Sequence, residues 1–355
     1  MKIGILTQPL SNNYGGILQN YALQQVLKKL EHEPVTIDYV AHYNIKTIAV
    51  YNIKTIILLL IGKSKRKFIS YYRKRNSKME AFVTQNIFLT KPIKRYSEGI
   101  LKENNIEALV VGSDQVWRRE YNNDLYAMYL SFAKNIGLKI SYAASFGIDY
   151  WNYSEEQTRK CAILAKQFKA ISVREESGIK LCNDYLGVDA VNVLDPTLLL
   201  QKEEYENLCV SVEKPNEPTL YAYILDINQE KREILSKIAA EKNLVLKIVQ
   251  ADNNAILTVP QWIAMFRDAE FIVTDSFHGT LFSIIFRKDF LTIGNKGRGM
   301  SRFTSILSKV GLEERLVNDF STDFQTKPEI NWSATEKLLE REIEKSYEFL
   351  KRYLK

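Results

Sequence analysis

Residues 275–280 place His278, one of three histidines in the chain, in a short polar segment between two apolar runs. The run at 270–274 is typical of a strand, and the run at 281–288 is typical of a helix. Backbone N–H groups and the helix dipole favour an anion at such a turn. Ser276 and the other neighbours are small or polar and leave room for a ligand. We therefore expect the imidazole to bind phosphate or donate a proton, with a packed structural histidine as the alternative.

A hydroxyl and a carboxylate follow another strand-like run, at 108–111. Ser113 and Asp114 lie close behind it. Polar groups at the carboxyl ends of parallel strands converge on the cleft of an open α/β sheet. The position predicts functional side chains, and a simple helix cap is the alternative for Asp114.

Arg174 directly follows a third strand-like run, at 170–173. Arginine binds carboxylate or phosphate through two parallel hydrogen bonds, so Arg174 is expected to hold an anion. An ion pair with Glu175 or Glu176 is the alternative. Those two acids are expected in the first turn of the following helix, where the helix dipole favours them.

Two more arginines, Arg298 and Arg302, follow the apolar run at 291–293. They lie on the same, carboxyl side of the predicted sheet and are candidate anion ligands. Arg302 fits a surface position at a helix start equally well.

The segment 11–16 forms a glycine-containing turn between a predicted strand and a predicted helix. Glycine adds no side-chain bulk, so Gly15 lets the backbone approach a ligand closely. The turn is neither a GxGxxG motif nor a P-loop, so neither nucleotide fingerprint is present. The alternative is a helix start capped by Asn12 or Asn13, and such a cap is compatible with a ligand at the same turn.

The candidate side chains are Arg, His, Ser and Asn, which suit a small doubly charged anion. Asp114, Asp195 and Asp275 lie on separate elements, so no metal site is predicted. Cys161, Cys182 and Cys209 are far apart and indicate neither a disulfide framework nor a zinc site. The chain opens with a strand-like run and no leader, and a cytoplasmic location is expected.

The net charge of +7 is unevenly distributed. The apolar stretch at 53–61 is too short to span a bilayer. Basic residues follow it without an acidic residue until Glu80. A solvated helix face is one interpretation of residues 50–78, and a peripheral contact with an anionic membrane at the inner face is the other. No signature of RNA binding accompanies these charges, so no nucleic-acid partner is expected.

Strands alternate with helices along most of the chain, which predicts an α/β fold of two Rossmann-like, doubly wound domains facing a cleft. The first domain is predicted at 1–210, with a helical, basic insertion at about 40–99. The second is predicted at 211–333. Residues 334–355 are predicted to form an amphipathic helix that packs across both domains.

Several of these segments recur, in the same order, in a known family. The matching segments are 13–24, 111–117, 141–147, 173–175, 194–197 and 275–280. Together they resemble the polysaccharide pyruvyl transferase family over roughly residues 3–310. The region 40–99 and the C-terminal helix fall outside the resemblance.

The resemblance implies a GT-B-like fold and transfer of pyruvate from phosphoenolpyruvate to a sugar of a bacterial exopolysaccharide or capsule precursor, as a ketal. Phosphoenolpyruvate is then the donor substrate, and no cofactor is expected. The basic segment 50–78 suggests an acceptor sugar on a lipid diphosphate carrier, with a nucleotide-linked sugar as the alternative. His278 is expected to bind phosphate and donate a proton, and Asp114 to activate a hydroxyl. The residues expected to bind substrate are Arg174, Asn13, Tyr14, Gly15, Gln19, Ser113, Ser276, Arg298 and Arg302.

Two other functions fit the same sequence. A GT-B glycosyltransferase that uses a sugar nucleotide is one, because a fold does not determine a reaction. A non-catalytic scaffold of a polysaccharide assembly complex is the other.

Overall fold

The structure is a computed structural model. It describes residues 1–11, 13–40, 52–56, 69–122, 124–250, 256–294, 299–317 and 327–355. Arg298 lies outside the described residues, as do residues 50–51 and 57–68 of the segment 50–78, which include Lys63, Lys65, Arg66 and Lys67.

The first of two sheets contains six parallel strands in the order β2-β1-β3-β4-β5-β6. The strands are β1 Lys2–Leu6, β2 Glu33–Thr36, β3 Ala108–Val111, β4 Leu138–Ala144, β5 Ala170–Val173 and β6 Val191–Asn192. The central β3 is buried on both faces, which explains its continuous apolar sequence.

The second sheet contains five parallel strands in the order β11-β10-β9-β7-β8. They are β7 Thr219–Ile224, β8 Val245–Gln250, β9 Phe271–Thr274, β10 Asp289–Ile293 and β11 Leu316–Val317. In both sheets the strand order reverses beside the first strand, as in a doubly wound fold. The predicted fold class, two facing Rossmann-like domains in a GT-B-like arrangement, is confirmed.

Helices flank both sheets. They are α1 Tyr14–Lys29, α2 Ile69–Asn86, α3 Glu98–Glu103, α4 Glu155–Ala165, α5 Ser177–Leu181, α6 Lys202–Leu208, α7 Gln229–Glu241, α8 Val259–Asp268, α9 Phe277–Ile285, α10 Ser301–Lys309 and α11 Trp332–Tyr353. Helix α9 begins earlier than the sequence pattern indicates, because Ser276 caps it by accepting a hydrogen bond from the Gly279 amide. His278 therefore lies in the first helical turn.

The C-terminal helix α11 contacts both halves of the molecule. Ser346 Oγ accepts a hydrogen bond from the Leu194 amide, and the ring of Phe349 lies 6.3 Å from that of Tyr142. On the other side, Glu342 pairs with Lys309 of α10. The apolar stripe of α11 is buried at Leu350 and Leu354 and half-buried along the rest of its length. The helix thus joins the flanking layers of the two sheets. Among the described residues, no helix is both long enough and apolar enough to cross a bilayer.

Candidate active site

Arg174 lies directly after β5 and is almost fully buried. Its Nη1 donates to Asp195 Oδ2 at 2.9 Å, and its Nη2 lies 3.6 Å from Asp114 Oδ1. Burial works to lower the pKa of Arg174, but the negative charges of Asp195 and Asp114 outweigh it and raise that pKa. Within the described chain its ion-pair partners are these two aspartates, so the alternative pairing with Glu175 or Glu176 is wrong.

Asp195 is the hub of the site, and sequence reasoning did not place it there. Its Oδ1 accepts hydrogen bonds from the amide and the hydroxyl of Thr197, at 3.0 and 2.8 Å. Its Oδ2 accepts from Arg174 and lies 3.6 Å from His278 Nε2. Burial favours the neutral acid, yet His278 and Arg174 hold the pKa of Asp195 below its usual value. The available signal was the position of Asp195 shortly after the strand pattern at 191–194.

His278 reaches this hub from the second sheet. The residue is buried, and its Nε2 has no hydrogen-bond partner in the described structure. Gly15, in the first turn of α1, lies directly against the ring: a Cβ built there would be 2.0 Å from His278 Nδ1. The glycine is therefore required by the approach of the imidazole from the opposite domain.

Asp114 adopts a left-handed backbone conformation with φ 72°. Such conformations are uncommon outside glycine and are enriched at functional sites. Its Oδ2 accepts a hydrogen bond from Asn13 Nδ2 at 3.3 Å, and its Oδ1 faces Arg174. Asp114 does not cap a helix, because the chain continues through bends and turns to a 3-10 turn at Arg119–Tyr121. Asn13 occupies the N-cap position of α1, but its side chain binds Asp114 instead of the helix.

Ser113 and Gln19 are fully buried between these groups. Ser113 Oγ lies 3.2 Å from Asp195 Oδ2 and also bonds the Ala143 carbonyl. The Gln19 amide donates to Thr7 Oγ1 and to the Gly16 carbonyl, and its oxygen accepts from the Ser113 amide. All hydrogen-bonding groups of Gln19 are thus used by the protein, and Gln19 supports the site indirectly.

Glu175 differs from its predicted place in the first turn of a helix. The helix α5 begins only at Ser177. Glu175 is fully buried, and its Oε1 accepts hydrogen bonds from the amides of Phe146 and Gly147 at 2.7 and 3.0 Å. The prediction failed because these partners belong to the loop after β4, about thirty residues away in sequence.

Arg302 approaches from the second sheet as well. It lies in the first turn of α10 and is buried, so the alternative of a surface residue is wrong. Its guanidinium carbon is 5.3 Å from the centre of the Phe277 ring, and that of Arg174 is 4.5 Å from the same ring. Burial and the charge of Arg174 lower the pKa of Arg302 to about 10. The two guanidinium groups therefore concentrate positive charge around Phe277.

Ser276 and Tyr14 have structural partners of their own. Ser276 Oγ caps α9. The Tyr14 hydroxyl donates to the Leu257 carbonyl at 2.7 Å, and its ring stacks on Trp262 at 5.4 Å. Tyr14 thus joins α1 to the second domain next to the site.

The structure brings together Arg174, Asp114, His278 and Arg302 from four separated segments. Buried hydrogen-bonding atoms remain open among them: within the described residues, Arg174 Nε and Nη2 have no hydrogen-bond partner, nor does His278 Nε2. Such groups are costly to bury without a partner, which indicates a place for an anionic ligand. No three His, Cys, Asp or Glu side chains of the described chain are grouped to hold a metal ion.

Comparison with known proteins identifies a family. The model of the family described as polysaccharide pyruvyl transferase matches residues 13–297. No curated protein matches the chain significantly in sequence.

Several solved structures share a distant likeness. The UDP-GlcNAc 2-epimerase of Methanocaldococcus jannaschii is 13% identical with a TM-score of 0.45, and covers 96% of this chain and 99% of its own. The UDP-GlcNAc 2-epimerase of Neisseria meningitidis is 9% identical, with a TM-score of 0.48 and coverage of 99% and 94%. The trehalose-6-phosphate phosphatase N-terminal domain of Candida albicans is 11% identical, with a TM-score of 0.48 and coverage of 99% and 96%.

Proposed function

The chain belongs to the polysaccharide pyruvyl transferase family, and from this premise we propose that it transfers pyruvate from phosphoenolpyruvate to a sugar of a bacterial exopolysaccharide or capsule precursor. The product is a pyruvate ketal on two hydroxyls of that sugar. One observation carries the proposal: Arg174 and His278, from different domains, meet at Asp195 with buried hydrogen-bonding atoms still open.

Phosphoenolpyruvate carries a carboxylate and a phosphate on three carbons. Binding it requires cationic groups that reach two anions a few ångströms apart. Arg174 and Arg302, which both lie against the Phe277 ring, supply two such groups, and His278 supplies a third donor. Guanidinium groups suit both anions because they donate two parallel hydrogen bonds. Asp195 and Asp114 lie against Arg174 and balance its positive charge.

In the proposed reaction, His278 delivers a proton to the methylene carbon of phosphoenolpyruvate. One sugar hydroxyl attacks C2, and Asp114 accepts its proton. The C2–O bond to phosphate then breaks, and a second hydroxyl forms the ketal. The two sugar hydroxyls release two protons. One restores the proton that His278 gave to the methylene carbon, and the other leaves with phosphate.

Each side chain has a place that suits its role. Asp195 is held in its charged form, so it orients the His278 imidazole and balances its positive charge. Asn13 donates to Asp114 and fixes the carboxylate that faces Arg174. General acid and base groups of this kind each contribute about 10²–10⁴-fold to a rate.

The peripheral membrane contact is part of the proposal. An acceptor on a lipid diphosphate would be held at the inner face by basic residues of the segment 50–78, whose charge attracts anionic lipid. Sedimentation with anionic vesicles tests this contact. Wild-type protein is expected to sediment at low salt, and a variant neutralised at Lys65, Arg66 and Lys67 is expected to remain in solution.

The reaction itself is tested by mass spectrometry. The protein is incubated with phosphoenolpyruvate and a panel of lipid-linked or nucleotide-linked sugars, and phosphate release is followed in parallel. The expected result is a sugar that gains the mass of pyruvate together with release of phosphate. Consumption of a sugar nucleotide as donor, with phosphoenolpyruvate unchanged, contradicts the proposal and indicates a glycosyltransferase.

A further inference from the structure

Four aromatic side chains lie on linked segments of the first domain, and we call them the aromatic rim: Tyr121, Tyr150 and Tyr185, which are exposed, and Trp151, which is half-buried. Tyr150 is 62% exposed, Tyr121 46% and Tyr185 43%. Trp151 stacks on Tyr185 with ring centroids 4.6 Å apart and planes 1° from parallel. Exposed aromatic groups concentrated in one place are a common feature of binding sites.

The rim is anchored to the interior. Trp151 Nε1 donates to Thr158 Oγ1 at 2.8 Å, which fixes the indole. Its ring packs against Tyr153 at 4.3 Å and Phe146 at 5.7 Å, both of which are buried. An aromatic surface fixed in this way loses little conformational entropy when a ligand covers it.

The loop that carries Tyr150 and Trp151 begins next to the candidate active site. Gly147 donates its amide to Glu175, the neighbour of Arg174. A Cβ at Gly299 would lie 2.0 Å from the Gly147 carbonyl oxygen, so the second domain touches the loop here. Three residues later the same loop reaches Tyr150.

Tyr121 is linked to the site through the contacts of Arg118 and Gln115. The Arg118 guanidinium lies 4.6 Å from the centre of the Tyr121 ring and donates to Gln115 Oε1 at 3.0 Å. Gln115 directly follows Asp114. Tyr121 also lies within electrostatic reach of Arg302: it is one of the groups that partly offset the lowering of the Arg302 pKa by burial and by Arg174.

A hydrogen bond joins the two parts of the rim. Asn152 Nδ2 donates to Glu120 Oε1 at 2.5 Å. Glu120 and Asp149, the sequence neighbours of Tyr121 and Tyr150, are exposed. Exposed carboxylates are repelled by anionic lipid, so this surface does not suit contact with an anionic membrane.

We infer that the aromatic rim binds the acceptor glycan, through sugars next to the one that receives pyruvate. The inference rests on the proposed function and adds a second sugar-binding region to it. A pyranose has an apolar face of C–H groups and a rim of hydroxyls. Flat aromatic rings cover such a face, while the exposed carboxylates of Glu120 and Asp149 accept hydrogen bonds from the hydroxyls. The rim therefore selects oligosaccharide acceptors over single sugars.

Direct binding tests the inference without donor substrate. Glucose and galactose oligosaccharides of increasing length are titrated into the wild-type protein and followed by calorimetry and by Trp fluorescence. The affinity is expected to rise with length by about tenfold, as expected for two added aromatic contacts. The double variant Tyr121→Ala, Tyr150→Ala is expected to lose this increase. Phe88→Ala, at a remote residue that is 58% exposed, is the matched control and is expected to keep it.

Two results overturn the inference: a double variant that binds long oligosaccharides like wild type, or a wild-type affinity that does not depend on length. Loss of vesicle binding or self-association in the double variant, without loss of glycan binding, also overturns it. Because these titrations contain no phosphoenolpyruvate, they separate the two proposals. Length-dependent binding with no pyruvyl transfer would reject the proposed reaction and leave the rim in place.

Discussion

Two buried aspartates, one associated with each sheet, differ in their surroundings. Asp195 follows β6 and Asp275 follows β9, and each is 2% exposed. Asp195 is surrounded by Arg174, His278 and the donors of Thr197, and its pKa is lowered against the effect of burial. Asp275 accepts a hydrogen bond from the Leu225 amide at 2.6 Å and lies 3.8 Å from Lys231. Burial dominates there and raises the pKa of Asp275.

The difference shows that burial after a strand does not by itself determine in which direction the pKa of a carboxylate shifts. The first sheet supplies Asp195, Asp114 and Arg174, and the second supplies His278 and Arg302. Asp195 contacts one side chain from each, Arg174 and His278. Asp275 follows a strand of the second sheet, and its contacts described above are with residues of the same domain, Leu225 and Lys231. The candidate active site is therefore formed where the two domains meet.

The largest effect is expected at His278. His278→Ala removes the proposed proton donor and should reduce kcat by about 10²–10⁴-fold. His32→Ala is the matched control, because His32 follows the far end of α1 and contacts no site residue described above. The measurement is initial-rate phosphate release from phosphoenolpyruvate with an acceptor sugar. Equal rates for His278→Ala and wild type would remove His278 from the mechanism.

Arg174→Lys keeps a positive charge but removes the planar pair of donors. We expect kcat/KM for phosphoenolpyruvate to fall about 10²–10³-fold, as when one donor to a reacting anion is lost. Arg315→Lys is the matched control. Arg315 is 1% exposed and binds Asp289 at 2.6 Å, away from the site. Its variant should unfold at a lower temperature while the folded protein keeps its turnover. A loss of turnover equal to that of Arg174→Lys would show that any buried arginine has this effect.

Asp195→Asn tests the hub directly. It should reduce kcat by about 10²-fold, because His278 loses the charge that balances its protonated form. The lowered pKa of Asp195 also affects stability. Its contribution is fully present above the unfolded pKa of about 3.9 and is lost as the pH falls through the lower folded pKa. Urea unfolding of wild type and variant across acidic pH should therefore show a difference that shrinks as the pH falls. A difference that is constant with pH would contradict a charged Asp195.

Gly15→Ala should displace the His278 ring, since the new Cβ would lie 2.0 Å from Nδ1. We expect kcat to fall about tenfold, a smaller effect than removal of the imidazole. Gly99→Ala is the control. Gly99 lies in α3 with Ser97 Oγ as its nearest neighbour at 3.5 Å, so it has room for a methyl group. That variant should gain up to about 1 kcal/mol of stability and keep its turnover. Equal turnover in both glycine variants would show that the contact with His278 is unimportant.

Asp275→Asn should have the smallest effect on turnover, less than about twofold, since no proposed step uses this residue. The sign of its effect on stability is opposite to that of Asp195. Because its folded pKa is raised, the wild-type protein loses stability as the pH rises from the unfolded pKa of about 3.9 through the folded value. The variant should lack this loss, which thermal unfolding across pH 3 to 8 can detect. A large loss of turnover would place Asp275 in the mechanism and remove the contrast with Asp195.

The sequence predicts those site residues whose position depends on the local pattern of strands and helices. Arg174, Asp114 and His278 follow apolar runs, and the alternation of strands with helices fixes the side of the sheet on which they lie. It did not identify Asp195 as the common partner of Arg174 and His278. That contact depends on how two sheets dock, which no local pattern encodes. Glu175 was misplaced for a different reason: its partners are amides of the loop after β4 in the same domain, about thirty residues away in sequence.

Binding of phosphoenolpyruvate at equilibrium tests the central claim most directly. Calorimetric titration compares wild type, Arg174→Lys and Arg315→Lys in the absence of any acceptor. The account predicts binding by wild type and Arg315→Lys and at least about tenfold weaker binding by Arg174→Lys. Equal affinity in all three proteins would contradict a donor site built on Arg174 at the junction of the two domains.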